Sequence, residues 1–336
     1  NKNPEVDIDL DATAGLASTQ LYGNDSSNSL KGLIGDDTLV GFGGNDTLDG
    51  GTGADSMVGG TGDDVFYLDR SSELTLLDDQ GGHDIVFSSA DADLSAAPTI
   101  EDLTLTGSAL IATGNALDNV MTGNSFANQL TGGIGNDTLD GGQGADTLTG
   151  GPGDDLFIID HVDDLIVDGY LSVSQDNPGA IASQGTDRIQ SLVDWDLANT
   201  PAIHDLTLVG IAPTTGRGTD ASELLTGGAG ANHLLGFGGQ DTLDGGSGFD
   251  TLEGGDGDDI YYINDEEDVV VEKWSGGYDI IYSSVPYSLP DFIEELVFIG
   301  DSSLIGHGTF FANTLTANDH GNVLFGDAGN DTMHGG

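Results

Sequence analysis

The sequence has no cysteine, and its Lys and Arg residues together number only 6 against 58 Asp and Glu residues. Without cysteine, neither disulfide bonds nor thiolate metal sites can stabilise the fold. The formal net charge of -52 repels phosphate groups and anionic lipids, which argues against nucleic-acid binding and membrane-surface binding. No apolar run is long enough to span a membrane, so direct membrane insertion is not expected. Cations are therefore the natural partners of this chain.

Glycine is the residue in excess, with 55 glycines among 336 residues, whereas hydrophobic residues make up 37% of the chain. That much apolar material can form a core, but only a thin one. Length alone allows one to three domains or an elongated repeat, so the pattern of the sequence must decide between them.

A nonapeptide repeat runs through the chain. The stretch 50–67, GGTGADSMVGGTGDDVFY, holds two copies, each with Asp at position 6 and an apolar residue at position 8. Gly pairs would interrupt a helix, whereas nine residues suit a turn of six and a strand of three whose central side chain points inward. In four blocks, the residues at position 8 are Leu30, Leu39, Leu48, Met57, Phe66, Met121, Leu130, Leu139, Leu148, Phe157, Leu225, Leu234, Leu243, Leu252, Tyr261, Leu315, Leu324 and Met333.

Two nonapeptides close one coil, and stacked coils form two parallel sheets around a single file of side chains. The pattern predicts an all-β fold, a parallel β-roll or β-solenoid built from GGxGxDxUx blocks. Between the blocks, stretches such as GGHDIVFSS (81–89) and GGYDIIYSS (276–284) alternate apolar with polar residues and predict β-rich segments that continue the solenoid. A separate globular domain in each gap is the alternative, although each gap is short for an independent core.

The turn GGxGxD indicates metal binding. Gly at positions 1, 2 and 4 permits positive φ and lets backbone carbonyls point together without a Cβ in the way. Stacked turns lie about 4.8 Å apart, so carboxylates two repeats apart repel each other unless a cation neutralises them. Carboxylate and carbonyl oxygens favour Ca²⁺ over Mg²⁺, which gives up its water reluctantly. The sequence predicts several Ca²⁺ ions, held by Asp37, Asp46, Asp55, Asp64, Asp137, Asp146, Asp155, Asp241, Asp250, Asp259 and Asp331, with position-4 glycines Gly35, Gly44, Gly53, Gly135, Gly144, Gly239 and Gly248.

These aspartates are predicted to act in pairs two repeats apart. The pairs are Asp37 with Asp55, Asp46 with Asp64, Asp137 with Asp155, and Asp241 with Asp259. The first turns of each block carry another residue at position 6. Neutral Asn satisfies a turn by hydrogen bonds without a cation, so these turns are predicted to be poor in metal. They contain Asn28, Asn119, Asn128, Glu223, Asn232, Asn313 and Asn322.

The nonapeptides GGTGADSMV, GGQGADTLT and GGSGFDTLE resemble the RTX, or haemolysin-type, calcium-binding repeat. The resemblance implies a β-roll that binds Ca²⁺ between successive turns on each side, secretion through a type I system, and folding outside the cell. Members of the family include toxins, proteases, lipases, epimerases, adhesins and surface-layer proteins. The repeat therefore identifies a module rather than the activity of a whole protein.

The predicted organisation follows the blocks. A lead-in at 1–22 precedes repeat blocks at 23–67, 114–158, 218–262 and a truncated block at 308–336, and β-rich connecting segments lie at 68–113, 159–217 and 263–307. The second of these carries an extra loop around SQDNPGAIASQG. Because the chain starts without Met and stops inside a repeat, we expect it to be an excerpt of a longer protein.

No catalytic constellation is evident. The seven histidines form no H-E-x-x-H pair, and there is neither a G-x-S-x-G elbow nor a P-loop. The sequence predicts a non-enzymatic, secreted or cell-surface module that folds on binding Ca²⁺ and serves as a structural, adhesive or assembly element of a filament, surface layer or matrix. Open strand edges would let it assemble end to end or with cell-surface components. The alternative is the calcium-folded, secretion-associated C-terminal region of a larger secreted enzyme or toxin.

Overall fold

A computed structural model describes residues 9–11, 18–78, 80–167, 186–200, 202–274 and 276–336. The chain divides into two units, Asn1–Thr186 and Asp187–Gly336. The described residues form short parallel strands joined by turns, with 3-10 helices at η1 (Ser71–Leu76), η2 (Leu94–Ala96) and η3 (Leu197–Asn199). Among them, no helix has the length and apolar character needed to cross a membrane. The predicted all-β solenoid, with β-rich segments between the repeat blocks, is confirmed.

In the first unit, successive strands alternate between two faces of the coil. One face pairs, in order, β1 (Asp9–Asp11), β3 (Ser29–Lys31), β5 (Thr47–Asp49), β7 (Val65–Leu68), β9 (Ile85–Ser88), β11 (Asp102–Leu105), β13 (Val120–Thr122), β15 (Thr138–Asp140) and β17 (Leu156–Ile159). The other face has two sheets: β2 (Gln20–Asn24), β4 (Thr38–Gly43), β6 (Ser56–Thr61), β8 (Leu77–Asp78); and β10 (Ala92–Asp93), β12 (Ile111–Thr113), β14 (Gln129–Thr131), β16 (Thr147–Thr149), β18 (Leu165–Ile166).

The second unit repeats this plan. One face comprises β19 (Arg188–Ser191), β21 (Asp205–Leu208), β23 (Leu224–Thr226), β25 (Thr242–Asp244), β27 (Ile260–Ile263), β29 (Ile280–Ser283), β31 (Glu295–Phe298), β33 (Thr314–Thr316) and β35 (Thr332–His334). The other has β20 (Trp195–Asp196), β22 (Thr215–Arg217), β24 (His233–Gly238), β26 (Thr251–Asp256), β28 (Val269–Val271); and β30 (Tyr287–Ser288), β32 (Ile305–His307), β34 (Val323–Phe325).

The strand register follows the nonapeptide. Within a block, partners lie two repeats apart, so that Leu48 pairs with Leu30 on one side and Phe66 on the other. In the connecting segments the coils change length, because Phe66 pairs with Val86, and Val86 with Leu103. The parallel sheets nevertheless continue through these segments.

Within the repeat blocks, the core is the predicted single file of position-8 side chains, and the connecting segments add further buried apolar side chains. In the first three blocks every position-8 side chain is buried, and the file ends at Phe66, Phe157 and Tyr261. In the fourth block, Met333 is 54% exposed and Leu324 is half-buried. The loop predicted around SQDNPGAIASQG and most of the lead-in lie outside the described residues, and the segment boundaries stay predictions.

Candidate metal centre

The position-6 aspartates of the first three blocks lie inside the coil. Each is at most 2% exposed, although aspartate is normally a surface residue. Asp331, in the fourth block, is half-buried. The turn brings each carboxylate inward because it closes tightly between two strands. The result is rows of buried acidic groups along both units.

One oxygen of each carboxylate belongs to a ladder that joins consecutive coils. The backbone N–H at position 6 donates to Oδ1 of the aspartate 18 residues further on. The structure thus brings together the four pairs expected from the sequence. The donor-to-acceptor distances are 2.7 Å for Asp37 to Asp55 and for Asp46 to Asp64, and 2.8 Å for Asp137 to Asp155 and for Asp241 to Asp259.

The second oxygen, Oδ2, lies against the glycine at position 1 of its own turn. An ideal Cβ on Gly41 would lie 2.0 Å from Oδ2 of Asp46, and one on Gly236 would lie 2.1 Å from Oδ2 of Asp241. Glycine is needed there for room rather than for positive φ, because the position-1 glycines lie outside the left-handed region. The expectation of positive φ at position 1 is therefore wrong.

These inner oxygens lack donors. Oδ2 is buried without a hydrogen-bond partner in Asp37, Asp46, Asp55, Asp137, Asp146, Asp241, Asp250 and Asp259. Burying a charged oxygen without a partner is costly, and buried charges in proteins are normally paired or bound to metal. An oxygen-ligating cation would relieve this cost, so the residues present fit Ca²⁺.

The asparagine turns supply an internal comparison. The side-chain amide of Asn119 donates to the carbonyl oxygen of Glu101 at 2.8 Å, and that of Asn313 donates to Ile293 at the same distance. The Oδ1 atom of Asn119 accepts from the N–H of Asn115 at 2.8 Å. At Asn119 and Asn313 the amide thus makes hydrogen bonds in the place where an aspartate leaves Oδ2 without a donor, whereas Nδ2 of Asn28 is buried without a partner. This difference favours metal at the aspartate turns.

The position-4 glycines bring carbonyl oxygens to the stacked turns. Gly35 and Gly135 have φ of 121° and 135°, a conformation that favours glycine. An ideal Cβ on Gly53 would lie 1.8 Å from the carbonyl oxygen of Gly35, and one on Gly153 would lie 1.7 Å from that of Gly135. Carbonyls of this set and the Oδ2 atoms are the oxygens that a Ca²⁺ ion would use. Gly44, Gly144, Gly239 and Gly248 also have positive φ, whereas Gly53 does not.

The structure extends the carboxylate rows into the connecting segments, where sequence reasoning assigned no ligand. The N–H of Asp64 donates to Asp84 at 2.7 Å, and that of Asp259 donates to Asp279 at 2.8 Å, in both cases 20 residues away. The sequence held a signal for both of these added aspartates, because the stretches GGHD and GGYD keep a Gly pair and an Asp in a shortened turn. Other additions are Glu73, Asp164 and Asp268, which stack on Asp55, Asp146 and Asp250.

Burial changes the acidity of these rows. Loss of hydration raises the pKa of Asp46, Asp137 and Asp146 from 3.8 to about 6, against the opposing effect of the backbone N–H that each accepts. The same cause raises the pKa of Asp279 to about 7, with a further contribution from neighbouring carboxylates. Without a cation, these carboxyls therefore keep their protons to a higher pH in the folded chain than in the unfolded chain.

A pH dependence follows for the calcium-free chain. Burial raises the folded-state pKa of Asp46 to about 6 and that of Asp279 to about 7. The stabilisation that these carboxyls give to the folded chain when protonated is therefore fully present below pH 3.8, and it is lost as the pH rises through the two folded-state pKa values. Acidifying a chelated sample through this range should therefore increase its β-sheet signal in far-UV circular dichroism. Saturating Ca²⁺ at neutral pH should restore the same signal. Identical spectra of the chelated sample at both ends of the range would contradict this expectation.

Solenoid coils whose aspartate turns bury rows of carboxylates are typical of a metal-binding repeat protein. The family model for the RTX calcium-binding nonapeptide repeat (4 copies) matches residues 22–57, 50–71, 113–157, 217–252, 235–270 and 307–336, more than half of the chain. The chain belongs to this family, and its repeats bind Ca²⁺. The resemblance seen in the nonapeptides is thereby confirmed. Comparison with curated proteins finds no match to the chain.

Proposed function

We propose that the chain is an extracellular structural or adhesive module whose solenoid forms when Ca²⁺ neutralises its rows of buried carboxylates. The observation that carries the proposal is the recurrence, in both units, of buried Oδ2 atoms without a donor, as in Asp55 and Asp250. In a metal-free chain with a net charge of -52, self-repulsion and the entropy of its many glycines oppose folding. Calcium binding then supplies folding free energy, as in other small metal-dependent folds.

The outer faces of the strands support a role in contacts with other surfaces. Side chains on parallel strands form regular rows, and aromatic rings stack along them. The ring centroids of Tyr67 and Phe87 lie 5.2 Å apart, and those of Tyr262 and Tyr282 lie 5.4 Å apart. Tyr67 and Tyr262 are exposed. Such stacked aromatic pairs suit adhesion to a ligand surface or to another copy of the chain.

A calcium titration tests this proposal. Far-UV circular dichroism should show a cooperative change from coil to β-structure with Ca²⁺ and not with Mg²⁺ at the same concentration. Light scattering on the same samples should show that the folded chain assembles. Adsorption of the folded chain to surfaces is measured in parallel. A spectrum indifferent to Ca²⁺ and chelator would refute calcium-driven folding.

The assembly role has its own test. A calcium-folded chain that stays monomeric at high concentration and adsorbs to no surface would count against it. That result would favour the alternative, in which the chain is the calcium-folded region of a larger secreted enzyme or toxin. Assay of the full-length protein for hydrolytic or epimerase activity, with and without calcium, would then identify that enzyme.

A further inference from the structure

Glu272 lies outside the nonapeptide blocks, yet its side chain reaches a nonapeptide turn. It follows β28, and its carboxylate meets those of Asp259 and Asp279, with one oxygen of each within 4.8 Å of the others. Asp259 is a position-6 residue of the third block, and its N–H donates to Asp279 in the next coil at 2.8 Å. Three acidic groups from different parts of the coil therefore converge.

Two members of this cluster have buried oxygens without donors. Asp259 and Asp279 are both 0% exposed, and Oδ2 of each lacks a hydrogen-bond partner. An ideal Cβ on Gly276 would lie 2.6 Å from Oε2 of Glu272, 3.0 Å from the carbonyl oxygen of Gly255 and 3.2 Å from Oδ2 of Asp279. Glycine at 276 thus leaves open a space that carboxylate and carbonyl oxygens surround.

The hydroxyl group of Tyr261 holds Glu272 in this place. It accepts from the N–H of Gly254 at 2.8 Å and donates to Oε1 of Glu272. Oε1 also accepts from the N–H of Gly255 at 3.2 Å. Phe66 and Phe157, which occupy the matching last position-8 sites of the first two blocks, have no hydroxyl group. The tyrosine is therefore a polar exception in an apolar file, and its partner is the added carboxylate.

We propose that Asp259, Glu272 and Asp279 bind a further Ca²⁺ ion, in a site where Glu272, a residue outside the nonapeptides, adds a third carboxylate to a stacked aspartate pair. An all-oxygen ligand set selects a hard cation, and a higher ligand charge tightens calcium binding. Three like charges, of which Asp259 and Asp279 are buried and Glu272 is half-buried, also favour such a cation, because they repel each other in its absence. This site goes beyond the structural role proposed above and does not depend on where the chain acts.

Substitution of Glu272 tests the site. In a titration of the metal-free chain against a chromophoric calcium chelator, wild type should bind one ion more tightly than the rest. Glu272→Gln keeps the shape of the side chain and the acceptor for Tyr261, but it removes the charge and the oxygen that accepts from the N–H of Lys273 at 2.9 Å. The affinity for the tightest ion should fall by at least about 10–100-fold, which is the typical cost of losing an outer-shell partner of a metal ligand. The weaker ions should be unaffected.

Two further variants make the result decisive. Tyr261→Phe installs the residue found in the other blocks, so it preserves the core and should weaken the same ion about 10-fold or more by releasing Glu272. Glu267→Gln removes a charge from an exposed side chain of the same connecting segment and should leave every ion as in wild type. Unchanged tight binding in Glu272→Gln would overturn the proposal. If that variant fails to fold in calcium, unchanged tight binding in Tyr261→Phe would overturn it instead.

The same samples separate this site from the proposed function. Circular dichroism during the titration reports whether Ca²⁺ folds the chain, and chelator competition reports the tight ion. Failure of calcium-driven folding leaves the site supported when Glu272→Gln still loses the tight ion. Conversely, calcium-driven folding with a tight ion that survives Glu272→Gln refutes only the site.

Discussion

Replacing Gly257 with alanine is expected to prevent the second unit from folding, even in saturating Ca²⁺. Gly257 occupies position 4 of its turn with φ of 140°, and an ideal Cβ would lie 1.3 Å from the carbonyl oxygen of Gly239 in the preceding coil. Neither backbone can move away without breaking the stack, because the N–H of Gly239 is itself bonded to the carbonyl of Asp256 at 2.8 Å. We expect a loss of unfolding free energy above about 4 kcal/mol, a magnitude typical of severe backbone or core disruption.

A second glycine in the same unit separates collision from backbone strain. Gly210 has φ of 97°, but an ideal Cβ there would meet nothing within 4 Å. Gly210→Ala should cost only the strain of the left-handed conformation, about 1–3 kcal/mol. Thermal unfolding in calcium, followed by circular dichroism, measures both variants. Equal midpoints for the two would mean that close stacking of the turns does not limit the fold.

The second large effect is expected from Asp55→Asn. Asp55 lies between two members of its row, because its Oδ1 accepts from the N–H of Asp37 at 2.7 Å and its own N–H donates to Glu73. Loss of its charge should weaken the binding of the Ca²⁺ ions on both sides of Asp55 in this row. An ion present at about 100 times its Kd contributes about 2.7 kcal/mol to stability, so losing two would cost roughly twice that. Calcium stoichiometry and thermal unfolding together measure the effect.

Asp36→Asn is the matched control for this variant. Asp36 precedes Asp37 in the same kind of turn, but its side chain is exposed. It accepts from the N–H of Ala54 at 2.9 Å, a hydrogen bond that an asparagine oxygen can also accept. Both variants therefore remove one negative charge, and a surface change of this kind usually stays within about 0.5 kcal/mol. If the two variants bind calcium equally well, the buried aspartates are not the ligands.

The sequence predicted those parts of the fold that follow from the nine-residue period. In the first three blocks, the nine-residue repeat places the position-8 residues in the core and the position-6 residues in turns, so the positions of Leu48 and Asp46 follow from the same count. Family membership and calcium binding follow because the turn chemistry is specific. The individual ion assignments stay predictions.

What the period does not determine is where coils change length. Glu73 stands next to Asp55 because η1 carries the chain back towards the turn, and no nonapeptide phase indicates it. The nonapeptide pattern does not predict the position of Glu272 either, because Glu272 lies in a connecting segment whose coil has a different length. Long-range geometry of this kind arises from the packing of neighbouring coils and not from local spacing.

The turns also accept residues other than glycine at position 2, although the motif places glycine there. Leu33, Phe42 and Phe237 occupy position 2 with φ of 80°, 84° and 76°. A side chain in this conformation costs about 1–3 kcal/mol and persists where surrounding contacts fix the backbone. The carbonyl oxygen of Leu33, for example, accepts from the N–H of Thr52 at 2.7 Å. Tertiary hydrogen bonds thus replace glycine at some turns.

The carboxylate ladder gives the stack of coils a polarity. In the stacked aspartate pairs of the repeat blocks, the earlier coil donates its N–H and the later coil accepts it, as from Asp46 to Asp64 and from Asp241 to Asp259. A stack of such coils has a donor end and an acceptor end, which are chemically unlike. Two stacks joined through this ladder must meet head to tail, so each added copy presents the same kind of end as the one before it. Association by this route would build a unidirectional filament rather than a closed two-fold dimer.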